Sequence, residues 1–229
     1  MPNRTAVSPA VKKDRVLLID DHPIVRQGLA LLIDREQDLA VCGEADGAHT
    51  GLHAVATLKP DLVVLDLSLS GPDGLDVLKE IRMNSGSLPV LILSMHDESI
   101  YAERALRAGA NGYIMKQEAT EKVLVAIRRI LAGEVYLSER LTNAMLQQVV
   151  HGNAGARNSP ILSLTDRELE IFRLIGEGHS TRRIADELHL SVKTIESHQA
   201  HIKEKLALKN ARELVQHAIE WTVSLGGGY

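Results

Sequence analysis

Five residues of the first half could do phosphoryl or metal chemistry, and each follows a short hydrophobic run. Asp20 and Asp21 close the run from Arg15 to Ile19, Asp66 closes Leu62-Val-Val-Leu65, Ser94 closes Val90-Leu-Ile-Leu93, and Lys116 follows Tyr113-Ile-Met115. Three carboxylates in one place demand a cation, and hard divalent ions take carboxylate and carbonyl oxygens with waters. Asp20, Asp21 and Asp66 could supply the carboxylates and the Ser68 backbone the carbonyl. Lys116 offers a compact positive charge for a phosphoryl oxygen, and Ser94 a hydroxyl donor. That setting makes Asp66 a candidate nucleophile. Taken singly, each residue has a plainer reading: Asp-Asp as a helix cap, Lys116 as a solvated lysine, Tyr113 as half-buried core. Their shared position at successive run ends is the signal.

The elements that would bring them together alternate. Strands are expected at residues 15–19, 39–42, 62–65, 90–93 and 112–115. Apolar-periodic helices follow at 24–33, 51–58, 75–81, 100–108 and 121–131. This is an α/β pattern, a flavodoxin-like doubly wound (βα)5 sheet of order 2-1-3-4-5, with its binding crevice at the carboxyl ends of strands 1 and 3. Residues 1–14 are expected to be a disordered leader and 15–133 the α/β domain. Residues 134–160 should be a linker with a helix over 135–150 and a Gly/Asn/Ser/Pro break over 151–160. An all-α four-helix domain follows at 161–225, with a flexible tail at 226–229. In that domain Thr165 and Glu168 form a capping box, Ser180 or Thr181 starts a short helix, Ser191 caps a third, and a fourth spans 211–223.

Composition bounds the alternatives. The 229-residue chain carries a net charge of −4, so it is no polycation, and aromatics at 3% disfavour stacking on bases. One cysteine, Cys42, excludes an intrachain disulfide and fits a reducing, cytoplasmic setting. No apolar run reaches the roughly 18 residues of a membrane span, and the first ten residues lack a signal core.

The stretches Leu17-Leu-Ile-Asp-Asp-His-Pro23, Val63-Val-Leu-Asp-Leu67, Pro72-Asp-Gly74, Leu93-Ser-Met-His96 and Ala105 to Lys116 resemble a two-component receiver domain. Leu164-Thr-Asp-Arg-Glu168, Gly178-His-Ser180, Ile184 to Leu188, Ser191 to His198 and Lys205-Leu206 resemble the LuxR-type helix-turn-helix. Together they are similar to NarL/FixJ-class response regulators over nearly the whole chain. The resemblance implies Asp66 as phosphoacceptor, with Mg2+ held by Asp20, Asp21, Asp66 and the Ser68 carbonyl. It also implies Ser94 and Tyr113 as a switch pair and Lys116 as the lysine that senses phosphate. Two positions depart from the family: Leu69-Ser70 replaces a common Met-Pro, with proline at Pro72 instead, and Gln117 replaces the proline after the lysine.

The same resemblance places a recognition helix after Ser191. Arg182, Arg183, Lys193, Thr194, Glu196, Ser197, Ala200, His201 and Lys203 are its candidate DNA contacts, with Ile195, Ile202 and Leu206 facing the core. Residues 161–229 hold nine Lys/Arg against ten Asp/Glu, so any phosphate attraction must come from a local stripe. Glu196 and Ala200 stand where relatives carry contact-making residues, and a glutamate can accept from cytosine N4. His198 and His201 sit three apart on a helix without further zinc ligands. His22 follows the Asp pair as a helix-start residue. Trp221 and Val223 are expected as core or dimer contact.

The implied function is a DNA-binding response regulator, not an enzyme beyond self-phosphorylation and self-dephosphorylation. Its partners would be a sensor histidine kinase, double-stranded promoter DNA, RNA polymerase, and a second copy once phosphorylated, with no membrane. Two alternatives stand beside it. One is a regulator that needs no phosphorylation. The other is a metal-dependent phosphatase with Asp66 as nucleophile, which would want a second aspartate where Ser68 stands.

Overall fold

The computed structural model describes residues 12–69, 74–95, 97–150 and 160–226. Pro72, His96, the 151–159 break, the first eleven residues and the last three lie outside the described residues. The chain divides into two compact units, Met1–Asn143 and Ala144–Tyr229.

In the first unit β1 (Asp14–Ile19), β2 (Leu39–Ala45), β3 (Leu62–Asp66), β4 (Val90–Ser94) and β5 (Gly112–Met115) form one parallel sheet of order β2-β1-β3-β4-β5. Its helices are α1 (Pro23–Asp34), α2 (Ala48–Leu58), α3 (Gly74–Asn84), α4 (Glu98–Arg107) and α5 (Ala119–Leu131). Every residue of β3 and β4 is buried, as expected of strands covered on both faces. Successive side chains take opposite faces. Val16, Leu18, Leu62, Val64, Leu91 and Leu93 join one core with α1 and α5 residues such as Ile33, Val123 and Ile127. The alternate set, Leu17, Ile19, Val63, Leu65 and Ile92, is equally buried.

Asp14 opens β1 instead of ending the leader, its amide bonded to the Asp38 carbonyl at 2.8 Å. β2 runs three residues past the expected end at Cys42. At Gly43 a Cβ would meet the tip of the Leu58 side chain, so α2 packs close over this part of the strand. Gly74 matters more for the crevice. Its amide donates to Leu67 O at 3.0 Å, and a Cβ would fall on the Asp66 carbonyl and the Leu67 Cα. Only glycine lets α3 start that close to the end of β3.

The helix expected over 135–150 begins at Glu139, as α6 (Glu139–Val150). The residues before it are extended along the edge of β5. Tyr136 bridges Gly112, accepts from Tyr113 N at 3.0 Å and donates to Asn111 O at 3.0 Å. Ser138 then donates its hydroxyl to Glu98 Oε1 on α4 at 2.6 Å. An exposed edge strand is thereby covered.

The second unit holds α7 (Asp166–Gly176), α8 (Thr181–Glu187), α9 (Val192–Lys205) and α10 (Ala211–Gly226), after a 3-10 turn at Pro160–Ser163. Side-chain caps start three of them. Thr165 and Glu168 make the full capping box, Ser180 accepts from Arg183 N and Ser191 from Thr194 N. Each such cap contributes about 1 kcal/mol. His189 takes φ 52° in the turn between α8 and α9. Leu169, Phe172, Ile184, Ile195, Ile202, Leu214 and Ala218 form the core, and Trp221 packs on Phe172 with ring centroids 5.5 Å apart. Val223 is 67% exposed.

Candidate functional site

The sheet order puts the ends of β1 and β3 side by side, so the carboxylates converge as the sequence implies. Asp66, the last residue of β3, has a fully buried carboxylate, and the Asp20 side chain is 4% exposed. Lys116 enters from the end of β5, itself 4% exposed, and bridges them. Its Nζ lies 2.7 Å from Asp66 Oδ2 and 2.8 Å from Asp20 Oδ2. Ser68 N donates to Asp66 Oδ1 at 3.0 Å, which fixes the loop after the strand. Burial pushes the Asp66 carboxyl above the ordinary carboxylate range, Lys116 pulls it down, and Asp20 pushes it up again.

Lys116 thus pairs with two of the three carboxylates, and the third, Asp21, is the most open at 16%. Oxygens of Asp20, Asp21 and Asp66, with the His22 ring nitrogen, lie within 4.8 Å of one another. That hard, oxygen-rich set fits a divalent cation of the magnesium kind. Ser94 ends β4 fully buried and hydrogen-bonds the phenol of Tyr113 on β5, whose side chain is also buried. Burial drives the Tyr113 phenol far above its ordinary range, with the Ser94 bond working the other way, so the ring stays neutral.

His22 is the site neighbour that sequence reasoning missed. It stands at the N-cap of α1 before Pro23, as its position implies, but its side chain makes no cap bond. Nδ1 turns toward the carboxylates, 2.7 Å from Asp21 Oδ1 and 3.2 Å from Asp20 Oδ1. The run Asp20-Asp21-His22 was the available signal, and the ring's direction was not legible from it. No described peptide bond is cis, in keeping with Gln117 in place of proline.

In the second unit α9 buries Ile195 and Ile202 and half-buries Leu206. Lys193, Glu196, Ser197, Ala200 and His201 are exposed, as are Arg182 and Arg183 on α8, while Lys203 is half-buried. Thr194 is half-buried, its Oγ1 2.7 Å from Ser191 Oγ, which commits it to the cap. Lys205 has a structural partner: Nζ meets the buried Glu168 carboxylate at 2.7 Å and ties α9 to α7. Burial works against the Glu168 charge, but Lys205 and the Thr165 amide and hydroxyl hold its carboxyl below the usual range. Burial also pushes the His198 imidazole down. Among the described residues the only set with metal-binding spacing is the acidic pocket, so His198 and His201 have no completing ligands.

Two families match the chain. Response regulator receiver domains match residues 16–128, and bacterial regulatory proteins of the luxR family match residues 162–218. The oxygen regulatory protein NreC of Staphylococcus haemolyticus (strain JCSC1435) is 36% identical over 210 residues, covering 90% of this chain and 97% of that protein. Among solved structures, a LuxR-family two-component response regulator from Aurantimonas sp. SI85-9A1 is 37% identical with a TM-score of 0.57, over 61% of this chain and 99% of that one. RcsB of Salmonella enterica serovar Typhimurium, bound to the rprA promoter in the presence of the phosphomimetic BeF3−, is 25% identical with a TM-score of 0.58. That match spans 90% of this chain and 98% of RcsB.

Proposed function

Since the chain belongs to the two-component response regulators that join a receiver domain to a LuxR-type DNA-binding domain, we propose that Asp66 accepts a phosphoryl group from a sensor histidine kinase. The observation that carries this reading is Lys116 bridging Asp20 and Asp66 in a buried acidic pocket. An Asp66 carboxylate oxygen attacks phosphorus in line with the phosphohistidine nitrogen. The P–N bond breaks, its electron pair returns to the imidazole, and an acyl phosphate forms on Asp66. Asp20, Asp21, Asp66 and the Ser68 carbonyl hold Mg2+, which supplies the positive charge the gathered oxygens need. Lys116 leaves its pairing with the Asp66 carboxylate to hold a phosphoryl oxygen.

Ser94 is the hydroxyl donor for a second oxygen, and taking that role costs its present bond to the Tyr113 phenol. The serine and tyrosine thus trade partners on phosphorylation, which biases two receiver conformations against each other. The favoured form dimerises and sets two α9 helices on half-sites about one helical turn apart. Lys193, Glu196, Ser197, Ala200, His201 and Lys203 on α9 face the DNA, with Thr194 at its start and Arg182 and Arg183 reaching phosphates. The receiver begins with Asp14 at the start of β1 and takes in the 134–138 segment along β5, and the DNA-binding domain is residues 161–225. Self-dephosphorylation, recruitment of RNA polymerase and a cytoplasmic location complete the proposal. No described helix is long and apolar enough to cross a membrane.

The test is labelling with a small phosphodonor and Mg2+, followed by titration of promoter DNA. Wild type should label at Asp66 and bind DNA more tightly once labelled. Equal labelling of Asp66→Asn would exclude Asp66 as the acceptor. Equal DNA affinity with and without phosphodonor would favour a regulator that needs no phosphorylation.

A further inference from the structure

We propose that His22 adds a nitrogen ligand to the acidic pocket, so that the pocket holds late first-row divalent cations such as Co2+ and Ni2+ more tightly than Mg2+. The inference rests on the reading of Asp20, Asp21 and Asp66 as a cation site. His22 holds the N-cap of α1 with extended backbone (φ −88°, ψ 105°), where a polar side chain ordinarily turns back onto the first amides of the helix. This one makes no such bond. Its Nδ1 instead lies 2.7 Å from Asp21 Oδ1, 3.2 Å from Asp20 Oδ1 and 3.7 Å from Asp66 Oδ2.

Those separations come close to one coordination sphere. With metal–ligand bonds of about 2.1 Å, adjacent ligand atoms stand about 3 Å apart and opposite ones about 4.2 Å. The four donor atoms of the pocket all fall within 4.8 Å of one another, so a bound ion has to draw the widest pair in by about 0.6 Å at most. The residue is also anchored, since its backbone amide donates to Asp20 Oδ1 at 2.8 Å. With its side chain 55% exposed, the ring sits at the mouth of the pocket while Asp66 and Lys116 close the floor. A cation entering from solvent passes the imidazole first.

The chemistry then discriminates between ions. Mg2+ prefers oxygen and keeps its waters, so an imidazole adds little to its binding. Co2+ and Ni2+ bind imidazole well, and affinity at a site with nitrogen rises from Mn2+ through Co2+ to Ni2+. His22 should accordingly matter least for Mg2+ and most for Ni2+.

Isothermal titration of the full-length protein with Mg2+, Mn2+ and Ni2+ tests this, with Mg2+ competition isolating the pocket from surface histidines. The variants are His22→Ala and His22→Ser, the latter restoring a capping hydroxyl without a ring. The expected result is a loss of at least about tenfold in Mg2+-competable Ni2+ affinity in both variants, the lower end of what even ligand-supporting residues give. Mn2+ should lose less, and Mg2+ affinity should stay within about twofold, as expected for an ion that gains little from imidazole. Equal losses for Mg2+ and Ni2+, or no loss for Ni2+, would overturn the role of His22 and leave the cation site standing. Mg2+ binding that survives unchanged in Asp66→Asn would overturn the cation reading itself, and the inference with it.

Discussion

Replacing Lys116 with methionine tests how the acidic pocket is balanced. The side chain is 4% exposed and its Nζ touches Asp20 Oδ2 at 2.8 Å and Asp66 Oδ2 at 2.7 Å. Methionine keeps most of the volume and removes the charge, so packing loss should be small. What remains is two buried carboxylates facing each other without a cation. Breaking a buried ion pair from one side typically costs about 3–5 kcal/mol, because the stranded charge cannot regain its water. Two stranded carboxylates argue for the upper half of that range, while the open mouth at Asp21 and His22 argues for the lower, giving an expected loss of about 4 kcal/mol without metal. With a urea slope of about 2 kcal/mol/M, the receiver midpoint should fall by about 2 M. Far-UV ellipticity in EDTA reads the transition, and the single tryptophan, Trp221, follows the helical unit separately. Two further results are expected: Asp20→Asn on the Lys116→Met background recovers part of the loss, and Mg2+ stabilises the lysine-free protein more than wild type. A loss below about 1 kcal/mol, the size of an exposed pair, would refute the reasoning.

Three further predictions concern other parts of the chain. Gly176→Ala puts a methyl onto the Thr222 hydroxyl and the Ala218 carbonyl of α10, so the helical unit should lose about 1–3 kcal/mol by Trp221 fluorescence, and no loss would mean that α7 and α10 can separate freely. The Asp38 carboxyl is lowered from 3.8 to about 2, chiefly by its hydrogen bonds from Arg128. Its folded value lies below the unfolded one, so its contribution to stability is present above the unfolded value and disappears as pH falls through about 2. A carboxyl NMR titration should find that low midpoint in wild type and a value near 3.8 in Arg128→Ala; the same low midpoint in both would exclude Arg128 as the cause. Glu196→Lys adds a cation to the exposed face of α9, and DNA affinity should rise with a salt slope steeper by about one. An unchanged slope would place Glu196 away from the DNA backbone.

The pocket was legible in the sequence because each buried strand stops at a polar residue, and parallel order brings those stops to one edge. Asp66 and Ser94 were found that way, as last residues of β3 and β4. The capping box was legible for a local reason, since Thr165 and Glu168 are three apart and need nothing from elsewhere. The misses involve choices that local pattern leaves open. Residues 135–137 carry apolar side chains compatible with a helix or a strand, and the unpaired edge of β5 decides for the extended form. The Asp20-Asp21-His22 run did not tell which way the ring would turn, because capping and pocket-facing rotamers share the same backbone. Lys205 stood in the sequence only as part of the Lys205-Leu206 pattern, and its pairing with Glu168, 37 residues earlier, depends on how α9 packs on α7.

The strap at Tyr136 and Ser138 bears on how such a protein can be recombined. Cutting after Gly133 would leave the Asn111 carbonyl and the Tyr113 amide unpaired at the edge of β5 and remove the hydroxyl that Glu98 accepts from. A receiver transplanted onto a foreign output module should therefore be severed beyond Asn143, with its own strap carried along. The same strap makes the first turn of α6 a passenger of α4 and β5, the elements beside Ser94 and Tyr113. Swapping outputs at the earlier point would discard the segment that ties the start of α6 to α4 and β5.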